Sequence, residues 1–432
     1  MSIFTSEAKM QEWLENKLTS IDGLADIINN IESIKNYIPQ NLSESKIKQS
    51  FLYCIESLYL NHSSTRNQNI SSTKGESLNP DFLSYAPETE SIVIIELKNQ
   101  QGATREAGTE LSAYASEIKS ALSYISDGDI INVIISPVWP TLLKHHLYND
   151  IFWQGKNTIC LEPFTQENEI LLKIIDIPLL VQADIPQKIS EEHLGGYHIC
   201  LYDDTLYQQP ISETKLDQYM ALIKASISSM STKGEKMNTH GFSFLSEGYG
   251  LSPYFITIVN AAPFKSIERI FHSNDIKSYS DLPLIEQKIL DTYLEYAPEG
   301  HGASLNSLCE TASLMLENIC KPRAEGFTSW DELKKHIQFN CKPIYFESWG
   351  IFKELTIEKL SYKYKNGSYN IELNDVNLGF EVIDEIVDEY YNYVNLHLLS
   401  NSFFPKSHAV FNEDIYIDED LIRSDFPDEN IS

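Results

Sequence analysis

Basic residues are scarce in this sequence. Only 33 Lys and Arg stand against 62 Asp and Glu, a formal charge of −29 over 432 residues. The acidic excess runs through both halves, so there is no basic stripe of the kind that lets a free-standing protein grip nucleic acid by its phosphates. Long apolar runs are missing too. Ile92–Ile95 and Ile174–Leu180 fall far short of a membrane span. The start, Met1-Ser2-Ile3-Phe4, has neither the basic stretch nor the apolar segment that directs export. The six cysteines (Cys54, Cys160, Cys200, Cys309, Cys320, Cys341) include no C-x-x-C pair. This argues against a disulfide framework or zinc knuckle and for ordinary thiols in a reducing cytoplasm. His145-His146 and His193/His198 have no thiol or carboxylate at metal-binding spacing. The glycine-rich stretches at 248–250 and 300–302 are not followed by G-K-[ST], which excludes a phosphate loop.

What is present is enough to fold. Hydrophobic residues make up 42% of the chain and aromatics 11%, and the length suggests more than one domain. Residues 1–43 read as a helical segment, with Leu14, Leu18, Ile21, Leu24, Ile28 and Ile31 recurring at helical spacing over 8–36. From 44 to 182 the pattern becomes helix, hairpin, helix, strand, helix, strand. The elements are a helix at 44–60, a polar loop at 61–79, strands Asp81–Tyr85 and Ile92–Lys98, and a helix at about 105–125. A strand at Asp129–Ser136, a helix near 141–152 and a strand near 158–162 follow. Residues 183–412 read as mainly helical, with helices at Leu216–Met230, Leu282–Tyr296, Ser304–Ile319 and Phe380–Leu399. A capping box at Ser329–Glu332 starts a further helix, and one hairpin, Thr356–Lys365 with Ser368–Leu373, turns on Asn366-Gly367. The last twenty residues, 413–432, hold eight acids and form a solvated acidic tail.

The strand Ile92–Lys98 carries the chemistry. Alternation puts Ile92, Ile94, Glu96 and Lys98 on one face, at the end of a run apolar enough to be buried on both sides. A carboxylate and an ammonium there are costly unless paired or bound to a metal. A hairpin centred on Glu88/Thr89 places Asp81 opposite Glu96, at about 5 Å. Two such carboxylates suit a hard divalent cation, Mg²⁺ or Mn²⁺, and Lys98 on the same side could orient or deprotonate an attacking water.

Pro80-Asp81, fourteen intervening residues, then Glu96-Leu97-Lys98 resembles the PD-(D/E)XK nuclease superfamily, over roughly residues 44–162. The resemblance implies a restriction-endonuclease-like α/β core, a small mixed sheet flanked by helices, with Asp81 and Glu96 as metal ligands and Lys98 as the catalytic lysine. It also implies an acidic residue on the preceding helix, for which Glu56 is the counterpart. In RecB-like members Q-x-x-x-Y follows. Here the stretch is Glu110-Leu111-Ser112-Ala113-Tyr114, so Tyr114 is a candidate substrate contact and Glu110 departs from the pattern. Gln100 continues the face of Lys98, and Arg105 and Lys119 are candidate phosphate contacts.

The leading expectation is therefore a cytoplasmic, metal-dependent nuclease acting on DNA rather than RNA. Its charge calls for a protein partner or homo-oligomer, and fusion to a helical C-terminal part resembles prokaryotic defence effectors. The alternative is a nuclease-fold protein without turnover that binds or regulates through its acidic surface.

Overall fold

A computed structural model describes residues 3–99, 107–182, 189–208, 214–248, 251–261, 279–296 and 302–388. The chain divides into two compact units, Met1–Gln187 and Lys188–Ser432.

The first unit is α/β. Helices α1 (Glu7–Leu18), α2 (Ile31–Lys35) and α3 (Leu42–Glu56) precede strands β1 (His62–Arg66), β2 (Phe82–Ala86) and β3 (Ser91–Leu97). Then come α4 (Ala107–Ala121), β4 (Ile130–Ile135), α5 (Thr141–Tyr148, continued by a π-turn at Asn149–Trp153), β5 (Thr158–Gln166), β6 (Glu169–Ile174) and α6 (Ile177–Leu180). The six strands lie in chain order in one mixed sheet. β3, β4 and β5 are parallel at its centre, and antiparallel hairpins close both edges. Every residue of β4 is buried, as the apolar run Ile130–Ile135 requires of a strand covered on both faces.

Residues 1–43 are not a separate segment. Met10, Leu14, Leu24 and Ile34 are buried in the same core as Phe51 and Val93. The expected long helix over 8–36 is broken near Gly23, where a Cβ would meet the carbonyl oxygens of Leu58 and Tyr59 at 2.3 Å. Only glycine allows that approach. The polar stretch 61–79 contributes the short edge strand β1.

The second unit corrects the expectation of a mainly helical region. It holds a five-stranded antiparallel sheet of β8 (Leu194–Tyr202), β9 (Gly241–Glu247), β10 (Tyr254–Ala261), β11 (Lys321–Ser329) and β12 (Lys342–Trp349), in the order β11-β8-β10-β9-β12. A two-residue strand, β7 (Ile189–Ser190), pairs in parallel with β13 (Val387–Asp388). Helices Met220–Lys236 and Ala303–Leu316 pack with one cluster of buried side chains. Trp330–Asn340 and Val376–Ile386 pack with another that includes Phe242, Phe244 and Phe346. Ser329 stands at the start of helix Trp330–Asn340, but its side chain makes no capping bond. The region expected as helix Phe380–Leu399 is helical to Ile386, and the acidic tail at 413–432 lies outside the described residues.

The expected hairpin at 356–373 is also overturned. Ile351–Lys365 is a helix with Phe352 and Thr356 buried four residues apart. Its lysines Lys359 and Lys363 pair with Glu385 and Glu381 of helix Val376–Ile386, at 2.5 and 2.7 Å. Asn366-Gly367 ends that helix instead of turning two strands. Gly367 takes φ +88° while Gly367 N donates to Tyr364 O and Ser368 N to Lys363 O. A Cβ at Gly367 would meet nothing within 4 Å, so the cost of substitution is backbone strain alone. Gly367→Ala should lower stability by about 1 kcal/mol in denaturant melts; no loss would show that the left-handed cap is not needed.

Candidate active site

Strands β2 and β3 pair Phe82 with Ile95, Leu83 with Ile94 and Ala86 with Ser91. Continued by one residue, that register sets Asp81 opposite Glu96. Both carboxyls are buried, as is Lys98, with 6%, 4% and 4% exposure. Such depth in an apolar sheet demands partners. Lys98 Nζ lies 2.6 Å from Glu96 Oε1 and 2.7 Å from Glu110 Oε2 of α4. Asp81 Oδ2 accepts from Leu97 N at 2.7 Å, and Asp81 Oδ1 accepts from the Gln11 amide of α1. Glu96 Oε2 is buried with no hydrogen-bond partner.

Charges set the protonation. Burial, and then the Asp81 carboxylate, push the Glu96 carboxyl up to about 9, against the pull of Lys98. Burial also raises Asp81, opposed by its bonds from Leu97 N and Gln11. For Lys98 burial acts downward, but Glu96 and Glu110 outweigh it and the ammonium is held charged. With three carboxyls around one cation, a neutral Glu96 at pH 7 limits the repulsion.

Four sequence-derived residues thus meet: Asp81, Glu96, Lys98 and Tyr114. Tyr114 is buried one turn after Glu110, and its hydroxyl donates to Asn79 O at 3.1 Å, just before Pro80-Asp81. Burial, then the charges of Glu96, Glu110 and Asp81, raise its phenol. The hydroxyl is already engaged, which makes Tyr114 a positioning group rather than a free substrate contact. Glu56 is not brought in: it is exposed on the last turn of α3. Lys119 lies about 13 Å along α4 from Glu110 and pairs with Asp127. Gln100 and Arg105 lie outside the described residues.

Two members escaped the sequence reading. Glu110, noted only as a departure from a motif, is the second carboxylate on Lys98. Gln11 comes from a helix seventy residues before Asp81 in the chain, and Glu7 of the same helix adds a negative charge facing Asp81. A polar Gln11 among buried Met10 and Leu14 was the available signal.

The donor set is oxygen-rich, and the free Glu96 Oε2 beside Asp81 fits a hard divalent cation better than a soft one. Among the described residues no group of three or more His, Cys, Asp or Glu converges on a metal position. Protein ligands would thus be few, as Mg²⁺ tolerates. No described helix is long and apolar enough to cross a membrane. Comparison with known proteins returns no match: no family model, no curated protein and no solved structure is similar to this chain.

Proposed function

We propose that the first unit is a Mg²⁺- or Mn²⁺-dependent nuclease of the PD-(D/E)XK type, with a restriction-endonuclease-like core, and that DNA is its substrate. The observation that carries this reading is Asp81 and Glu96 facing across a hairpin, with Lys98 on their side and Glu96 Oε2 unpartnered. Asp81 and Glu96 would hold the cation, which supplies charge stabilisation to a phosphodiester under attack. Lys98, fixed by Glu96 and Glu110, would present a fully charged ammonium to the attacking water or the phosphoryl oxygen. Leu97 N fixes one Asp81 oxygen, so the aspartate would offer the other once Gln11 yields it. The acidic groups around Lys98 favour a basic partner protein or a second copy that completes the nucleic-acid groove. The test is cleavage of DNA and RNA with Mg²⁺ or Mn²⁺, by the chain alone and with its genomic neighbours, and its loss in Asp81→Ala and Glu96→Ala; no cleavage under any of these conditions sinks the reading.

The second reading is a nuclease-fold binding protein without turnover. The engagement of both Asp81 oxygens and of Lys98 favours it. Cation titration separates the two. Because Glu96 holds its proton up to about 9, each bound cation must displace one. Mn²⁺ affinity, followed by electron paramagnetic resonance, should rise about tenfold from pH 7 to pH 8 and level off above about 9. A pH-independent affinity would place the cation elsewhere.

A further inference from the structure

The strand β4 reads Ile-Ile-Asn-Val-Ile-Ile, and its one polar side chain is hard to explain by packing. Asn132 is 5% exposed and its Oδ1 has no hydrogen-bond partner. An unpaired buried amide oxygen destabilises the fold, and valine or isoleucine there would not. Asn132 stands in register with Thr158 of β5, on the same face of the sheet, and Thr158 Oγ1 is likewise buried without a partner.

Of the two, Asn132 lines a cavity. The space measures about 270 Å³ and lies under α4; Asn132 stands in register with Ile94 of β3, two residues before Glu96. Leu111, Ala115 and Ile130 give it apolar walls. Its charged groups cancel in pairs: Lys119 with Asp127, and Lys156 with both oxygens of Asp150, at 3.1 Å. A charged ligand gains little from such a mouth. The volume falls just below the range for drug-sized molecules, which suits one flat heterocycle. We propose that this cavity binds an uncharged nucleobase or nucleoside, and adenine is the base whose edge matches. An asparagine amide pairs with the donor and acceptor side by side on the adenine N6/N7 edge, and the apolar walls take its faces. The site is separate from the proposed cation site and does not depend on it.

The experiment is calorimetry of the full chain with adenine, adenosine, each of the other three ribonucleosides and a short single-stranded oligonucleotide. Adenine and adenosine should bind with a Kd below about 1 mM, and Asn132→Leu should weaken them at least tenfold. A response to the oligonucleotide alone would assign the cavity to nucleic acid and overturn a free-nucleoside site. Binding of no nucleoside at 5- to 10-fold above about 1 mM would overturn the proposal, with ordered water as the occupant. Folding is checked independently: Asn132→Leu removes an unpaired polar group and should leave the unliganded melting temperature unchanged or higher. A large drop would show that the amide is paired in solution. Ala115→Phe, which fills the cavity and leaves the asparagine in the chain, should abolish binding as well.

Discussion

Replacing Lys98 with alanine is expected to slow metal-dependent cleavage about a thousandfold while the first unit stays folded. Three features set this expectation. The ammonium is the one positive group facing Asp81 and Glu96 among the described residues. Its close contacts with Glu96 Oε1 and Glu110 Oε2, at 2.6 and 2.7 Å, fix its position, so a substrate oxygen would meet a preorganised donor. The fold should survive the loss because Glu96 already favours its neutral form, and the Glu110 side chain, about a third exposed, can turn to water. The readouts are cleavage rate and thermal melt, measured on the same preparation. Wild-type cleavage in a folded Lys98→Ala protein would remove the lysine from the chemistry. A melt collapsing with the rate would assign Lys98 a structural role instead.

The second large effect belongs to the other unit. Asp203 is fully buried at the end of β8 and accepts from Thr205 N and Thr205 Oγ1, Thr214 Oγ1 and Lys215 N, at 2.6–3.0 Å. Burial alone would raise its carboxyl, but these bonds outweigh it and hold it down at about 2. A depressed carboxyl stabilises the fold above its unfolded value, near 3.8, and that contribution fades as pH falls through about 2. Asp203→Ala should cost about 3 kcal/mol at neutral pH, since it strands several donors at once. The variant and the wild type should converge in stability as pH falls toward 2. A gap that stays constant down to that pH would mean the carboxylate charge contributes nothing.

The hairpin that carries Asp81 and Glu96 was the most legible part of the sequence, and the reason is physical. An apolar strand ending in Glu96-Leu97-Lys98 must pair with something, and a short turn allows few registers. The helices at 107–121 and 303–316 were legible from their apolar stripes. The strands of the second sheet were not. Phe242 and Phe244 enter one cluster while Leu245, Ile256 and Ile258 enter another, so both faces of the sheet are covered. A strand covered on both sides loses its alternation and cannot be told from a buried helix by pattern. Asn366-Gly367 misled for a related reason: a left-handed glycine serves a hairpin and a helix end equally well. Gln11 was out of reach because tertiary packing alone brings α1 to Asp81.

The bond from Leu97 N to Asp81 Oδ2 makes the hairpin self-checking. Extra residues inserted in the turn at 87–90 leave the ladder intact and should be tolerated. One residue inserted within Ile92–Ile95 would send Glu96 and Lys98 to the opposite face and drag apolar side chains out of the core with them. The Asp81 bond would fail in the same slip. Mutational scanning by insertion should therefore show a sharp boundary at each end of the turn, with length variable between Ala86 and Ser91 and fixed within the two strands. Correct assembly of the sheet and correct assembly of the carboxylate pair are, in this chain, a single event.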